Sequence, residues 1–350
     1  MTPRLLLSHK LFARFPPFRL FTFLTPLALL LFSCSSPQSH TEYVLGTLCS
    51  LTLYENHKKE IFEKVFTRVR EIDALMSRTL PESDIYKINS LSGEAPAPVH
   101  EETFRLVEAG IEFSRLSNGA FNIAVGPLVT LWSIGTQAAA VPPKDALPAA
   151  LALTSYEDII LDKKSLTVFL KKKGMALDLG AIAKGYAADE AARILRDNAN
   201  PRAIIDFGGN ILVTGTRPDG KKWQVGVQAP GANRGEYIGI IEAQDTSVVS
   251  SGVYERFFVS EDGLKYHHIL DTRTGAPVDN GLLSVTVIAH SSQKADALST
   301  LLFALGLPEA LRLAENTPGV EALFVTDGKK LHATRGLKKI FRLTNTQYSF

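Results

Sequence analysis

The residues whose types and spacing could do chemistry fall mainly in two places. Asp296 and Thr300 stand one turn apart in a run, residues 292–305, whose Leu298, Leu301, Leu302 and Leu305 form an apolar stripe. The pair therefore lies on the opposite face of a predicted helix. Such a face ordinarily meets solvent, yet its neighbours are Phe303 and small residues rather than Lys or Glu. A carboxylate and a hydroxyl at this spacing are hard oxygen ligands of the kind Mg²⁺ takes together with a phosphate. Spacing alone leaves both readings open.

The second place is residues 175–196, MALDLGAIAKGYAADEAARILR, where an apolar run stops at Asp178 and turns into a helix. Asp178 is expected to cap that helix, whose free first-turn N–H groups and dipole suit an anion. At about 100° per residue, Ala181, Gly185, Ala188 and Ala192 share a narrow face, which predicts close approach to another backbone. Asp189, Arg193 and Arg196 are expected in solvent. Lys184 lies on neither face, in the first turn, where its charge opposes the dipole. It is either a lysine snorkelling along the edge of the core or the partner of a phosphate.

Two further stretches carry candidates. Residues 267–275, HHILDTRTG, gather histidine, carboxylate, guanidinium and hydroxyl groups at a strand-to-turn junction. Adjacent strand residues point to opposite faces, so at most one of His267 and His268 meets a given cleft, which argues against a metal pair. Asp271 and Arg273 equally suit a hydrogen-bonded turn. Residues 119–132, GAFNIAVGPLVTLW, hold two glycines, a proline and two large aromatics. That composition predicts a backbone bend, either around a ligand or as a buried structural loop.

The elements that must position these groups alternate along the chain. A strand over residues 43–54 precedes a helix over 58–76, in which Ile61, Val65, Val69, Ile72 and Met76 recur at helical intervals. A short helical turn follows Pro81, and a helix over 101–116 ends at Asn118-Gly119. Residues 135–153 read as a surface connection, and strands are expected over 158–162 and 167–171. A buried strand over 202–207 closes in Gly208-Gly209-Asn210, a tight turn. Alternating runs over 222–227, 237–243, 247–251, 254–260 and 265–270 predict a strand-rich lobe of hairpins. There is no fixed-period repeat, no GxGxxG and no Walker sequence, and the triplet at 206–208 lacks the phosphate loop that a kinase would place before it.

Composition narrows the class. The net charge is +2, and much of the basic excess lies in the first residues and at Lys338, Lys339 and Arg342, so no nucleic-acid surface is expected. Arg4, Lys10, Arg14 and Arg19 lead into an apolar run over 20–32 and then Ser33-Cys34, which resembles a lipobox. The expected organisation is a signal peptide over 1–33, a tether over 34–41 beginning at a lipidated Cys34, and a body over 42–350 as one domain or two coupled lobes. Cys49 would then have no partner, so neither disulfide, zinc nor cysteine catalysis is expected.

Six motifs taken together carry a family resemblance: residues 119–132, 177–186 (LDLGAIAKGY), 206–210 (DFGGN), 250–257 (SSGVYERF), 268–275 (HILDTRTG) and 295–300 (ADALST). They fall in the order of the ApbE family, the FAD:protein FMN transferases, and the resemblance runs from about residue 43 to beyond 326. It implies an α+β fold with a mixed, largely antiparallel sheet and packed helices. It also implies an enzyme that uses Mg²⁺ to cleave FAD and pass FMN to a Thr or Ser hydroxyl of an acceptor protein, releasing AMP. By resemblance, Asp296 and Thr300 hold the metal with the main-chain carbonyl of Ala181. FAD contacts fall to Asp178, Lys184, Ala120, Phe121, Asn122, Ser251, Gly252, His268 and Ile269, and to the positions of Leu45 and Thr79. His268 is the candidate acid or base and Asp296 the catalytic carboxylate. Asn122 stands where the family often has Asp, Leu45 where it often has Met, and Thr79 near an aromatic position. The family suggests as acceptor a flavoprotein subunit of a membrane redox complex, with the enzyme lipid-anchored at the outer, periplasmic face of the cytoplasmic membrane. An FAD pyrophosphatase and a non-catalytic flavin-binding lipoprotein are the alternatives.

Overall fold

A computed structural model describes residues 36–350. The expected signal segment and Cys34 lie outside the described residues. The first strands, β1 (Gln38–Val44) and β2 (Thr47–Leu53), form a hairpin where a single strand was expected. Leu45 and Gly46 take φ of 55° and 66°, the pair of left-handed residues that a two-residue hairpin turn requires. Leu-Gly signals such a turn more weakly than Asn-Gly, which hid it. β1 also begins inside the segment read as a tether, so the folded body reaches back at least to Gln38.

α1 (Lys59–Met76) buries its Ile61, Val65, Val69, Ile72 and Met76 stripe. Ser83 caps α2 (Asp84–Ser90) by accepting from the Tyr86 amide. β3 (Ala97–Pro98) leads to α3 (Glu101–Leu116), which stops at Asn118 and Gly119, both at positive φ. The bend that follows runs into α4 (Gly126–Trp132), and the expected surface connection contains α5 (Ala146–Leu151). Pro148 sits in the first turn of α5, where a missing N–H does not interrupt the helix. Ala150 packs with Leu128, Trp132 and Leu270 in a small separate cluster.

β4 (Ile159–Asp162) and β5 (Thr167–Leu170) join β3 in a three-stranded sheet. After α6 (Ala183–Asp197) come β6 (Ala203–Phe207) and β7 (Asn210–Thr214), turning at Gly208-Gly209 as expected. The expected strand-rich lobe is divided among three places. β8 (Trp223–Gln228) and β9 (Tyr237–Ala243) leave the main sheet, β10 (Thr246–Gly252) enters its centre, and β11 (Phe257–Val259) pairs with β12 (Lys265–His267) as a separate hairpin. β13 (Leu282–Ala289), α7 (Ser292–Leu305), α8 (Leu307–Glu315), β14 (Val320–Thr326), β15 (Leu331–Ala333) and β16 (Phe341–Leu343) complete the chain. No elements had been expected beyond residue 305.

All strand pairings between these elements are antiparallel. The eight-stranded sheet runs β1-β2-β6-β7-β10-β13-β14-β15. Alternate residues feed opposite faces, as the pleat dictates. Val249, Val287 and Phe324 join the core beneath the helices, whereas Val248, Ile288 and Leu323 join a second core beneath the β16-β9-β8 sheet. The result is an α+β fold in which one face of a twisted antiparallel sheet supports the helices that carry the site.

Candidate functional site

The site is built where α6 crosses α7. A methyl at Gly185 would stand 2.3 Å from the Ser292 carbonyl oxygen, so the two backbones touch and the small-residue face has the close neighbour that it predicted. Asp296, only 3% exposed, points across this seam. Its Oδ2 accepts from the Gly185 amide at 2.9 Å, and Lys184 Nζ lies 3.3 Å from Oδ1 and 3.5 Å from Oδ2. A buried carboxylate is tolerated when it is paired and hydrogen-bonded. Lys184 also donates to the Gly180 carbonyl at 2.9 Å, so its place in the first turn is explained by an acidic partner inside the protein.

This contact has a consequence for Ala181. Gly185 stands four residues after it, and in a continuing helix its N–H would bond the Ala181 carbonyl. Asp296 takes that N–H instead, and the helical ladder starts with Tyr186 N donating to Ile182 O at 3.1 Å. The Ala181 carbonyl thus receives no helical donor. The hydroxyls one turn along α7 leave a second free acceptor. Ser299 Oγ donates to the Asp296 carbonyl at 2.9 Å and so accepts from Ser251 Oγ at 2.8 Å. With the Ser251 proton committed, Thr300 Oγ1 donates to Ser251 across 3.2 Å and keeps its lone pairs. One carboxylate, one hydroxyl and one carbonyl, all oxygen, fit a hard cation such as Mg²⁺, which completes its shell with water and phosphate. Among the described residues no three His, Cys, Asp or Glu side chains cluster as metal ligands.

Asp178 departs from its expected role. α6 starts at Ala183, and Ile182, the residue before it, makes no side-chain cap. Asp178 Oδ1 accepts from Gly180 N at 2.8 Å, and Oδ2 pairs with Arg78 Nη1 at 3.0 Å. The amides of Ile182 and Ala183 turn to the Leu179 carbonyl. The anion that the helix start was expected to attract is, in this structure, Asp296 on Gly185. Asp189 also departs: it faces α7 rather than solvent.

Arg78 escaped the sequence reading, since a lone arginine after a helix gives no signal. Its Nη2 donates to the Gly126 carbonyl at 3.2 Å and to Thr130 Oγ1 at 2.7 Å. Together with Asp178 N donating to Ile123 O at 2.8 Å, it fastens the 120–126 bend to the Asp178 loop. Within the bend, Ala120 and Phe121 are buried, the Phe121 ring standing edge-on to Phe113 in the core. Asn122 donates to the Thr154 carbonyl and accepts from Ala124 N, so these side chains shape the bend itself. Thr79 is exposed, its hydroxyl 3.2 Å from that of Ser77.

The remaining candidates gather around Arg256. Its carbonyl accepts from His268 N at 3.1 Å and lies 3.2 Å from His268 Nδ1, and its Nη2 donates to Gly46 O in the Leu45-Gly46 turn at 3.1 Å. A carbonyl can only accept, so Nδ1 carries the proton and Nε2 is the free base. Burial lowers the His268 pKa to about 4, and the charges of Arg256 and Lys184 push the same way. His267 is its opposite in role: buried, with Nε2 on the Val278 carbonyl at 2.8 Å. Gly252 and Ile269 are both buried, Gly252 against Tyr254 and the Leu283 carbonyl. Cys49 is buried, which pushes its thiol up to about 12, in keeping with an inert side chain.

A model of the ApbE family matches residues 45–324. The chain belongs to the ApbE family. It is 38% identical over 293 residues to an FAD:protein FMN transferase of Klebsiella pneumoniae (strain 342), covering 84% of this chain and 90% of that protein. It is 36% identical over 327 residues to the FAD:protein FMN transferase of Treponema pallidum (strain Nichols), covering 89% and 90%. Among solved ApbE structures, that from Thermotoga maritima superposes with a TM-score of 0.81 at 32% identity, covering 88% of this chain and all of the other. The flavin transferase ApbE from Vibrio cholerae gives 0.76 at 25% identity, covering 87% and 100%. The ApbE fold expected from the ordered motifs is therefore the fold observed.

Proposed function

We propose that this ApbE protein transfers FMN from FAD to a Thr or Ser hydroxyl of an acceptor protein, with Mg²⁺, releasing AMP. The observation that carries the reading is the oxygen set at the α6–α7 seam: the Asp296 carboxylate, the Thr300 hydroxyl and an Ala181 carbonyl left without its helical donor. Held by these groups, Mg²⁺ supplies neutralisation of the pyrophosphate charge. The protein's own groups do the rest. Lys184, fixed between Gly180 and Asp296, adds positive charge to the same place, where a preorganised cation lowers the cost of charge developing on phosphate. Asp178, held by Arg78 beside the 120–126 bend, orients the flavin nucleotide. His268, neutral and with Nε2 unprotonated, takes the proton of the acceptor hydroxyl as its oxygen bonds to the FMN phosphorus and the P–O bond to AMP breaks.

Its similarity to the FAD:protein FMN transferases of Klebsiella and Treponema supports the reaction type. The basic start, apolar run and Ser33-Cys34 support export and a lipid anchor at Cys34, with the body at the periplasmic face of the cytoplasmic membrane. A flavoprotein subunit of a membrane redox complex suits an enzyme held there.

The test is to incubate the protein with FAD, Mg²⁺ and a candidate acceptor domain and to follow AMP and acceptor mass. An acceptor heavier by FMN, with AMP in equal amount, is expected. AMP without modified acceptor indicates hydrolysis instead, and FAD bound with neither product would end the enzyme reading. Asp296→Ala is expected to lower turnover about 100-fold or more.

A further inference from the structure

Asp296 does not reach Gly185 unaided. Asp189, on α6, accepts with Oδ1 from Ser292 N at 2.8 Å, and with Oδ2 from Gln293 N at 3.0 Å and Ser291 Oγ at 2.8 Å. α7 already has a local cap, since Ser291 Oγ accepts from Lys294 N at 3.2 Å and Ser291 O from Ala295 N at 3.1 Å. Asp189 therefore takes the first-turn amides that this cap leaves over, with its charge at the favourable end of the dipole.

The two contacts mirror one another. Gly185 and Asp189 are one turn apart on α6, as Ser292 and Asp296 are on α7. The Gly185 amide meets the Asp296 carboxylate, while the Ser292 amide meets the Asp189 carboxylate. Each helix thus lends a carboxylate to the opening amides of the other, and the two bonds fix both slide and rotation along an antiparallel crossing. Behind this lock lies a buried layer. Ser292 Oγ donates to Asn210 Oδ1 at 2.6 Å and lies 2.9 Å from Ser247 Oγ, which ties the start of α7 to β7 and β10.

We propose that Asp189 is a positioning residue for the metal ligands: it sets the register of α7 on α6, so that Asp296 takes the Gly185 amide and Ala181 O stays free. The inference rests on the Mg²⁺ reading above. A carboxylate serving stability alone would leave metal affinity untouched, whereas outer groups that orient ligands change affinity by about 10–100-fold when removed.

The experiment uses the whole protein and Mn²⁺ as probe, its binding followed by electron paramagnetic resonance without substrate, alongside urea unfolding in chelator. Asp189→Asn is expected to raise the Mn²⁺ dissociation constant about tenfold, and the half-saturating Mg²⁺ for AMP release by the same factor, with kcat at saturating Mg²⁺ within about twofold. Combined with Asp296→Ala it should cause no further loss of Mn²⁺. A lower urea midpoint with unchanged Mn²⁺ affinity overturns the proposal. So does unchanged affinity in Asp189→Glu, which keeps the charge but displaces the carboxylate from the Ser292 and Gln293 amides and serves if Asp189→Asn does not fold. Wild-type Mn²⁺ affinity in Asp296→Ala overturns the metal reading itself, an outcome distinct from failure of Asp189 alone.

Discussion

Lys184 Nζ stands 3.3 Å from Asp296 Oδ1 across the α6–α7 seam, so the site's lysine and its buried carboxylate neutralise each other. Removing the lysine by Lys184→Met strands a buried negative charge. With chelator present, unfolding in urea is expected to show a loss of about 3 kcal/mol. Saturating Mg²⁺ is expected to restore part of it, because a cation replaces the missing charge. An equal loss with and without Mg²⁺ would count against a cation at Asp296.

Gly185 has no room for a side chain. Its added methyl in Gly185→Ala would meet main-chain atoms of Ser292 and Gln293, which cannot swing aside as a side chain can. The helices must part, at an expected cost of about 1–3 kcal/mol, measured by urea unfolding. FAD turnover at fixed Mg²⁺ should fall more steeply than stability, because the Gly185 amide moves off Asp296.

His268 ties activity and stability to pH in a defined direction. With its pKa lowered to about 4 by burial, the base form persists well below neutrality. An acid limb from this group is expected near pH 4, not near 6.5, in the pH profile of kcat/KM. In the unfolded chain the same imidazole takes a proton at about pH 6.5. Stability is therefore indifferent to His268 above that pH and falls as pH drops from about 6.5 towards 4, where the unfolded state binds the proton that the folded state refuses. His268→Gln should flatten that part of the urea-midpoint profile and slow acceptor modification by about 100-fold or more. An unflattened profile would show that another group is responsible.

The parts of this molecule legible in the sequence are those written in local periodicity. The α1 stripe, the Asp296/Thr300 face of α7, the narrow face of α6 and the Gly208-Gly209 turn each follow from spacing that the fold keeps. What escaped depends on partners far along the chain. Asp178 looked like a cap because an aspartate before a helix usually is one, but Arg78, 100 residues away, holds its carboxylate. Asp189 looked solvent-facing because a wheel knows only its own helix, and the amides it accepts from belong to α7. The β1–β2 turn was hidden for a different reason: Leu45 adopts a left-handed conformation that its side chain does not advertise.

Lys184 and Asp296 are 112 residues apart in sequence, and β6, β7, β10 and β13 must lie side by side before they meet. Bringing them together costs the loop-closure entropy of the intervening chain. The working centre is thus the product of a finished sheet. A chain ending before Ser291 would lack α7, and with it both Asp296 and Thr300 of the oxygen set at the seam.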